Sequence, residues 1–375
     1  MTGILGRASV VPKAPSTYRE VTTMKRRLNA RFRRPRRRRV LTAYGRALAV
    51  AALSGVLGVA GLSAPSSAAT PTGGVRELVT FAAPGCTDRC GSGSAVGPDG
   101  ALYVTDGPGG RLLRIDRWTG AVRTITAELP AMLPAIGIGG PIDVAFRGRT
   151  AYVLVTLVGP AVGQPDVVAG LYRVEPDGSP QVVADIGAWS VAHPPATDFV
   201  VPSGLQYALQ PYRHGFLVTD GHLNRVLYVT AAGRITEYRA FGNVAPTGLD
   251  RRGRQVLMAE AGPVPHRPET GRVLSLRRHA APVVLASGAP LLVDVEVGPD
   301  RRVWALSQGR WDHPNVPENA GLPAAPDTGG LFRADGRGGL RSMVTGLDRP
   351  TSLEFVGRAA YVVTMTGKVL RISLR

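Results

Sequence analysis

Asp143 and Asp294 occupy matching places in two similar stretches, Pro141-Ile142-Asp143-Val144 and Leu292-Val293-Asp294-Val295. Two carboxylates held facing one another make a cation site or an anchor for a polar ligand. They also have a plainer use, in which each accepts backbone N–H groups at a strand start. A buried carboxylate without such partners is costly, and both uses stay open on sequence alone. Ser203, Thr247 and Thr351 stand one residue before the corresponding place in three further stretches and add hydroxyl groups to the same region. Calcium is the cation that such oxygens suit, but calcium takes six to eight of them. Beyond the leader the asparagines are Asn224, Asn243, Asn315 and Asn319, and none falls in these places. No cofactor is therefore expected.

A second group is Trp311-Asp312-His313, inside a long insertion from Gln308 to Asp327. Long connections in compact domains are functional or disordered. The cluster is either a ligand contact or a Trp folded back over the rim of the domain. The six histidines, His193, His214, His222, His266, His279 and His313, all fall in loops or turns. No pair has helical metal-binding spacing. No G-x-S-x-G elbow is present. Gly137-Ile138-Gly139-Gly140 leads into a strand, whereas a dinucleotide fingerprint opens a helix. The expectation is a protein without catalytic residues.

These residues are preceded by a leader. Residues 1–46 hold fourteen Lys and Arg and one acid, Glu20. An uncharged apolar run follows from Ala47 to Leu62, then the small residues Ser63 to Ala69. This is the layout of a signal peptide cleaved before Thr70, and the run is short for a membrane span. Either Met1 or Met24 serves as a start, and the arginines fit both general and twin-arginine export. Removing residues 1–69 lowers the net charge from +18 to +5. Nucleic acid is accordingly not expected as a partner, and a membrane only through an uncleaved leader. Cys86 and Cys90 are expected to form a local disulfide in an exported protein.

The elements that hold the candidate residues repeat six times between residues 91 and 375. Each copy has a short innermost strand, a Gly-containing turn, an apolar strand such as Leu102-Tyr103-Val104 or Tyr361-Val362-Val363, and a strand of the type Leu112-Leu113-Arg114-Ile115. The step between copies is about 52 residues, which suits a four-stranded blade with loops. A lone blade cannot bury both faces, so six blades stack radially. The sixth copy stops after three strands. Val75-Arg76-Glu77-Leu78-Val79-Thr80-Phe81 has the alternation to supply the fourth and close the ring. The fold class is thus all-β, a single six-bladed propeller over residues 70–375. Copies two and five are opposite in such a ring, so Asp143 and Asp294 are expected to face each other across the central channel.

The series Gly97-Pro98-Asp99-Gly100-Ala101-Leu102-Tyr103-Val104, Pro141 to Phe146, Gly170 to Gly178, Leu217 to Val229 and Ala245 to Leu249 resembles the ScyD/ScyE family of exported, NHL-like propellers. The resemblance spans roughly residues 75–375. It implies the fold and an extracytoplasmic location, and supplies no catalytic residues. Arg251-Arg252-Gly253-Arg254 departs from the family's turn at that place. The expected function is an exported binding or scaffolding propeller for a protein, glycan or small molecule. The alternative is a metal-dependent hydrolase or lactonase-like propeller with its site in the channel.

Overall fold

A computed structural model describes residues 74–374, apart from 84, 85, 87, 198–200, 265, 268, 279, 315, 317, 318 and 320. The leader, its cleavage point and His279 lie outside the described residues. Among the described residues, no helix is long and apolar enough to cross a membrane.

Twenty-four strands form six four-stranded antiparallel sheets. Five sheets are consecutive in sequence and are numbered here as blades one to five. The innermost strands are Ser94–Val96, Gly140–Arg147, Gln206–Tyr212, Pro246–Arg252, Leu292–Val297 and, in blade six, Pro350–Val356. Blade six takes its outermost strand from the N-terminal side. Val75–Thr80 pairs antiparallel with Lys368–Ser373, with Val75 opposite Ile372 and Thr80 opposite Lys368. The ring therefore closes as the alternation of residues 75–81 predicts.

The apolar core lies between blades rather than within them. Each of six buried clusters joins two neighbouring blades. Tyr152 and Leu154 of blade two meet Phe216 and Val218 of blade three, and Trp304 and Leu306 of blade five meet Leu353 and Val362 of blade six. Both faces of every sheet are covered because the strands carry apolar residues on both sides, as at Gly215–Asp220, where every residue is buried. Removing that much apolar surface from water is the main force that stacks the blades. One seven-residue helix, Ile186–Ala192, interrupts the all-β pattern between blades two and three. Asp185 caps it by accepting the Ala188 N–H.

Cys86 and Cys90 are joined in a disulfide. Such a bond is at home in an oxidising, extracytoplasmic compartment.

Candidate functional site

Strand pairing fixes which residues line the channel, and it corrects the sequence alignment in blade three. Gln206 pairs with Asp220 as Pro246 pairs with Glu260. The innermost strand of blade three thus starts four residues later than Pro202-Ser203-Gly204-Leu205 suggests. That segment is instead a turn. Gly204 has φ +80°, and Asp220 accepts the Leu205 N–H. Ser203 is buried outside the channel, and Tyr207 takes its place in the ring. The corrected ring reads Gly93, Asp143, Ala208, Gly248, Asp294, Ser352, so Gly–Asp–small occurs twice around the six blades.

Asp143 and Asp294 line one cavity of about 310 Å³ along the channel axis. Each fixes its own blade to the next. Asp143 Oδ1 accepts the Val144 N–H at 2.8 Å and Oδ2 accepts the Leu209 N–H of blade three at 2.7 Å. Asp294 repeats this with Val295 at 2.8 Å and Leu353 of blade six at 2.7 Å. Ser352 Oγ plays the same part between blades six and one by accepting the Ser94 N–H at 3.0 Å. Thr247 and Thr351 tie blades through their hydroxyls, which donate to the Leu292 and Ser92 carbonyls at 2.8 and 2.7 Å.

Three further carboxyl groups enter the same cavity two residues along their strands: Asp250, Glu296 and Glu354 of blades four, five and six. Asp250 accepts the Val297 N–H at 2.8 Å, and Glu296 hydrogen-bonds Asp250. These groups are half-buried, open to the channel on one side and surrounded by protein on the others. Burial pushes Asp143, Glu296 and Glu354 well above the ordinary carboxylate range, and neighbouring carboxylates push them further. Burial raises Asp294 to about 7, although two backbone N–H groups oppose the shift. Enclosure by protein and like charges nearby both disfavour the ionised form of a carboxyl. Among the described residues, no group of three or more His, Cys, Asp or Glu has metal-binding geometry.

Tyr207 lines both this cavity and a second of about 110 Å³ nearer the face built from the long loops, as do Ile138, Val293, Gln308 and Met365. Its hydroxyl contacts the Thr351 carbonyl of the opposite blade at 3.5 Å. Burial raises its pKa, and the charges of Asp294 and Asp143 add to that. The smaller cavity is largely apolar, with Leu205, Ala261, Leu291 and Leu322 in its wall, and it includes His266. Burial lowers the His266 pKa to about 4, so the ring is neutral. Arg89 overhangs both cavities. Its Nη1 donates to the Gly137 carbonyl at 2.7 Å and its Nη2 to the Gly321 carbonyl at 3.1 Å.

The structure brings Trp311 and His313 together, their rings meeting edge-to-face at 4.7 Å between centroids, and leaves Asp312 apart. Trp311 is buried against Ala245, Ala261, Leu291 and Ala324, under the second cavity's wall. Asp312 points outward to a bidentate pair with Arg310. His313 Nε2 meets the Pro323 carbonyl.

The geometry defines a six-bladed β-propeller, and known structures agree. The chain superposes on a calcium-binding protein, regucalcin, from Agrobacterium tumefaciens with TM-score 0.54 and 10% identity, covering 80% of this chain and 94% of that one. It is similar to a gluconolactonase from Xanthomonas campestris with TM-score 0.53 and 13% identity, covering 80% and 89%. A putative gluconolactonase gives TM-score 0.51 and 12% identity, covering 80% and 92%. At these identities the likeness is one of fold alone. No protein-family model and no curated protein matches the chain.

Proposed function

We propose that this chain is an exported binding propeller of the ScyD/ScyE type, which holds a ligand at the channel and the loops above it without transforming that ligand. One observation carries the proposal. Both oxygens of Asp143 and of Asp294 accept backbone N–H groups, so the two most prominent carboxylates have a structural role in joining blades. Each oxygen keeps a second lone pair, but the two fixed backbone bonds account for the placement of each carboxyl without a metal or a substrate. The partner is an extracytoplasmic protein, glycan or small molecule.

The second reading is a metal-dependent, lactonase-like hydrolase. The five carboxyl groups around one cavity favour it. Calcium titration of the purified protein separates the two. On the binding reading, equilibrium dialysis finds no stoichiometric calcium, the melting temperature stays put at saturating calcium chloride, and sugar lactones are not hydrolysed. A bound calcium that disappears in Asp143→Ala would install the hydrolase reading instead.

A further inference from the structure

Six tight turns, each joining the first and second strands of a blade, surround the channel mouth on the side away from the long loops. Arg147 and Arg149 stand in the turn of blade two, Arg213 in blade three, and Arg251, Arg252 and Arg254 in blade four. Arg301 and Arg302 follow in blade five and Arg358 in blade six. All are exposed except Arg147 and Arg251, which are half-buried. Among the described residues, none of the nine forms an ion pair. The acids of these turns are neutralised from elsewhere: Asp99 pairs with Arg114 and Asp300 with Arg333. The turns between third and fourth strands on the same face add Asp116, Glu175, Asp177 and Asp335 against Arg117, Arg234, Arg277, Arg278 and Arg337, so the face as a whole stays basic.

Blade one has no arginine in this turn. Its neighbouring turn presents Trp118, 68% exposed, beside Arg117, whose guanidinium donates to the Gly100 carbonyl and lies 5.4 Å from the Trp118 ring. The opposite face has the reverse charge. Its described loops carry Asp88, Glu128, Asp166, Glu269, Asp312, Asp327 and Asp348 against Arg89, Arg267, Arg310 and Arg349. Asp88, Asp312 and Asp348 are paired to arginines, and the acids still outnumber the cations. The disc is therefore polarised along its axis.

We propose that the arginine-rimmed face of the propeller docks on an anionic lipid surface, with Trp118 entering the headgroup layer. The turns sit at the same end of six sheets, so they present a broad face rather than a groove that tracks a linear polymer. Clustered Arg near an anionic leaflet is attracted electrostatically, and Trp favours the membrane–water interface. An inorganic polyanion would use the arginines but leave the indole without a partner, and a single-stranded nucleic acid, whose bases can stack on an indole, needs a charged groove to track rather than a ring of turns. The acidic face is turned outward by the same field, which leaves the long loops and channel mouth free. This route to a membrane is independent of the leader and of the proposed ligand.

The test is quenching of Trp118 fluorescence by vesicles of phosphatidylcholine and brominated phosphatidylglycerol, using the full chain. A leader that bound the same lipid would not bring Trp118 to it, so the signal reports this face. Quenching is expected with the anionic vesicles, not with phosphatidylcholine alone, and is expected to vanish in Trp118→Phe and in high salt. Reversing Arg252, Arg254, Arg301 and Arg302 to Glu, with the melting temperature retained, weakens binding by about tenfold or more. The proposal fails if Trp118 stays unquenched on vesicles that sediment with the protein, or if the charge reversal leaves the affinity unchanged. Capture of soluble polyphosphate through these arginines without any Trp118 quenching also overturns it, and assigns the face to a polymer.

Discussion

A side chain on Gly248 would come within 2.4 Å of Asp294 Oδ1 and 2.5 Å of Asp294 Cα, so the aspartate occupies space that the glycine leaves open. Gly93 stands in the same relation to Asp143, at 2.3 Å from its Oδ1. Gly248→Ala forces the strands of blades four and five apart and is expected to cost about 1–3 kcal/mol, the usual penalty for overpacking a filled site. Urea denaturation reads this directly, and a change within a few tenths of a kcal/mol would mean that the blades shift freely there.

Thr247 is buried and its hydroxyl serves the Leu292 carbonyl of the next blade. Thr247→Val keeps the shape and removes the donor. The expected loss is about 1–3 kcal/mol, because a buried carbonyl is left without a partner. Equal stability of the two proteins would show that water replaces the hydroxyl.

The channel carboxyls make stability depend on pH. Glu296 is raised well above the ordinary carboxylate range by burial and then by the charges of Asp250, Glu354 and Asp294. A raised carboxyl binds its proton more tightly when folded than when unfolded. Its stabilising effect is fully present at low pH, and is lost as pH rises from the ordinary carboxylate range through the folded pKa. Glu296→Gln is therefore expected to raise the melting temperature at pH 8 relative to the parent and to leave the difference small near pH 4. Melting curves across that interval check the sign, and a variant destabilised only at high pH would reverse it.

Arg89 bridges loops from blades one and five, and it lines both cavities together with Met365, which is buried. Arg89→Ala is expected to speed oxidation of Met365 by tert-butyl hydroperoxide several-fold while Met258, fully buried between blades, stays protected. Arg89→Lys, which keeps the charge but not the forked reach, is expected to resemble the Ala variant. Peptide mapping measures both methionines in one sample. Unchanged Met365 kinetics would place the barrier in another residue.

The blade count, the ring closure and the two opposed aspartates were legible because each depends on a period that a chain repeats. The blade-three register was not. Pro202-Ser203-Gly204-Leu205 imitates Pro246-Thr247-Gly248-Leu249, and only the pairing of Gln206 with Asp220 reveals that the true strand starts later. Tyr207 was missed for that reason. Asp250, Glu296 and Glu354 carried a usable signal, since residues two apart on a strand share a side. Trp311 beside Asp312 and His313 shows the opposite limit. Adjacency in a loop does not say which way a side chain turns, and apolar burial claimed the indole.

Because Val75–Thr80 belongs to the final sheet, tension on anything attached ahead of Val75 is carried by its hydrogen bonds to the strand Lys368–Ser373. Blade one, next in sequence, is bypassed. A chain tethered by its N-terminal side would thus hang from its last-made part, and mechanical failure would begin by peeling blade six and opening the ring at the seam between its oldest and youngest strands.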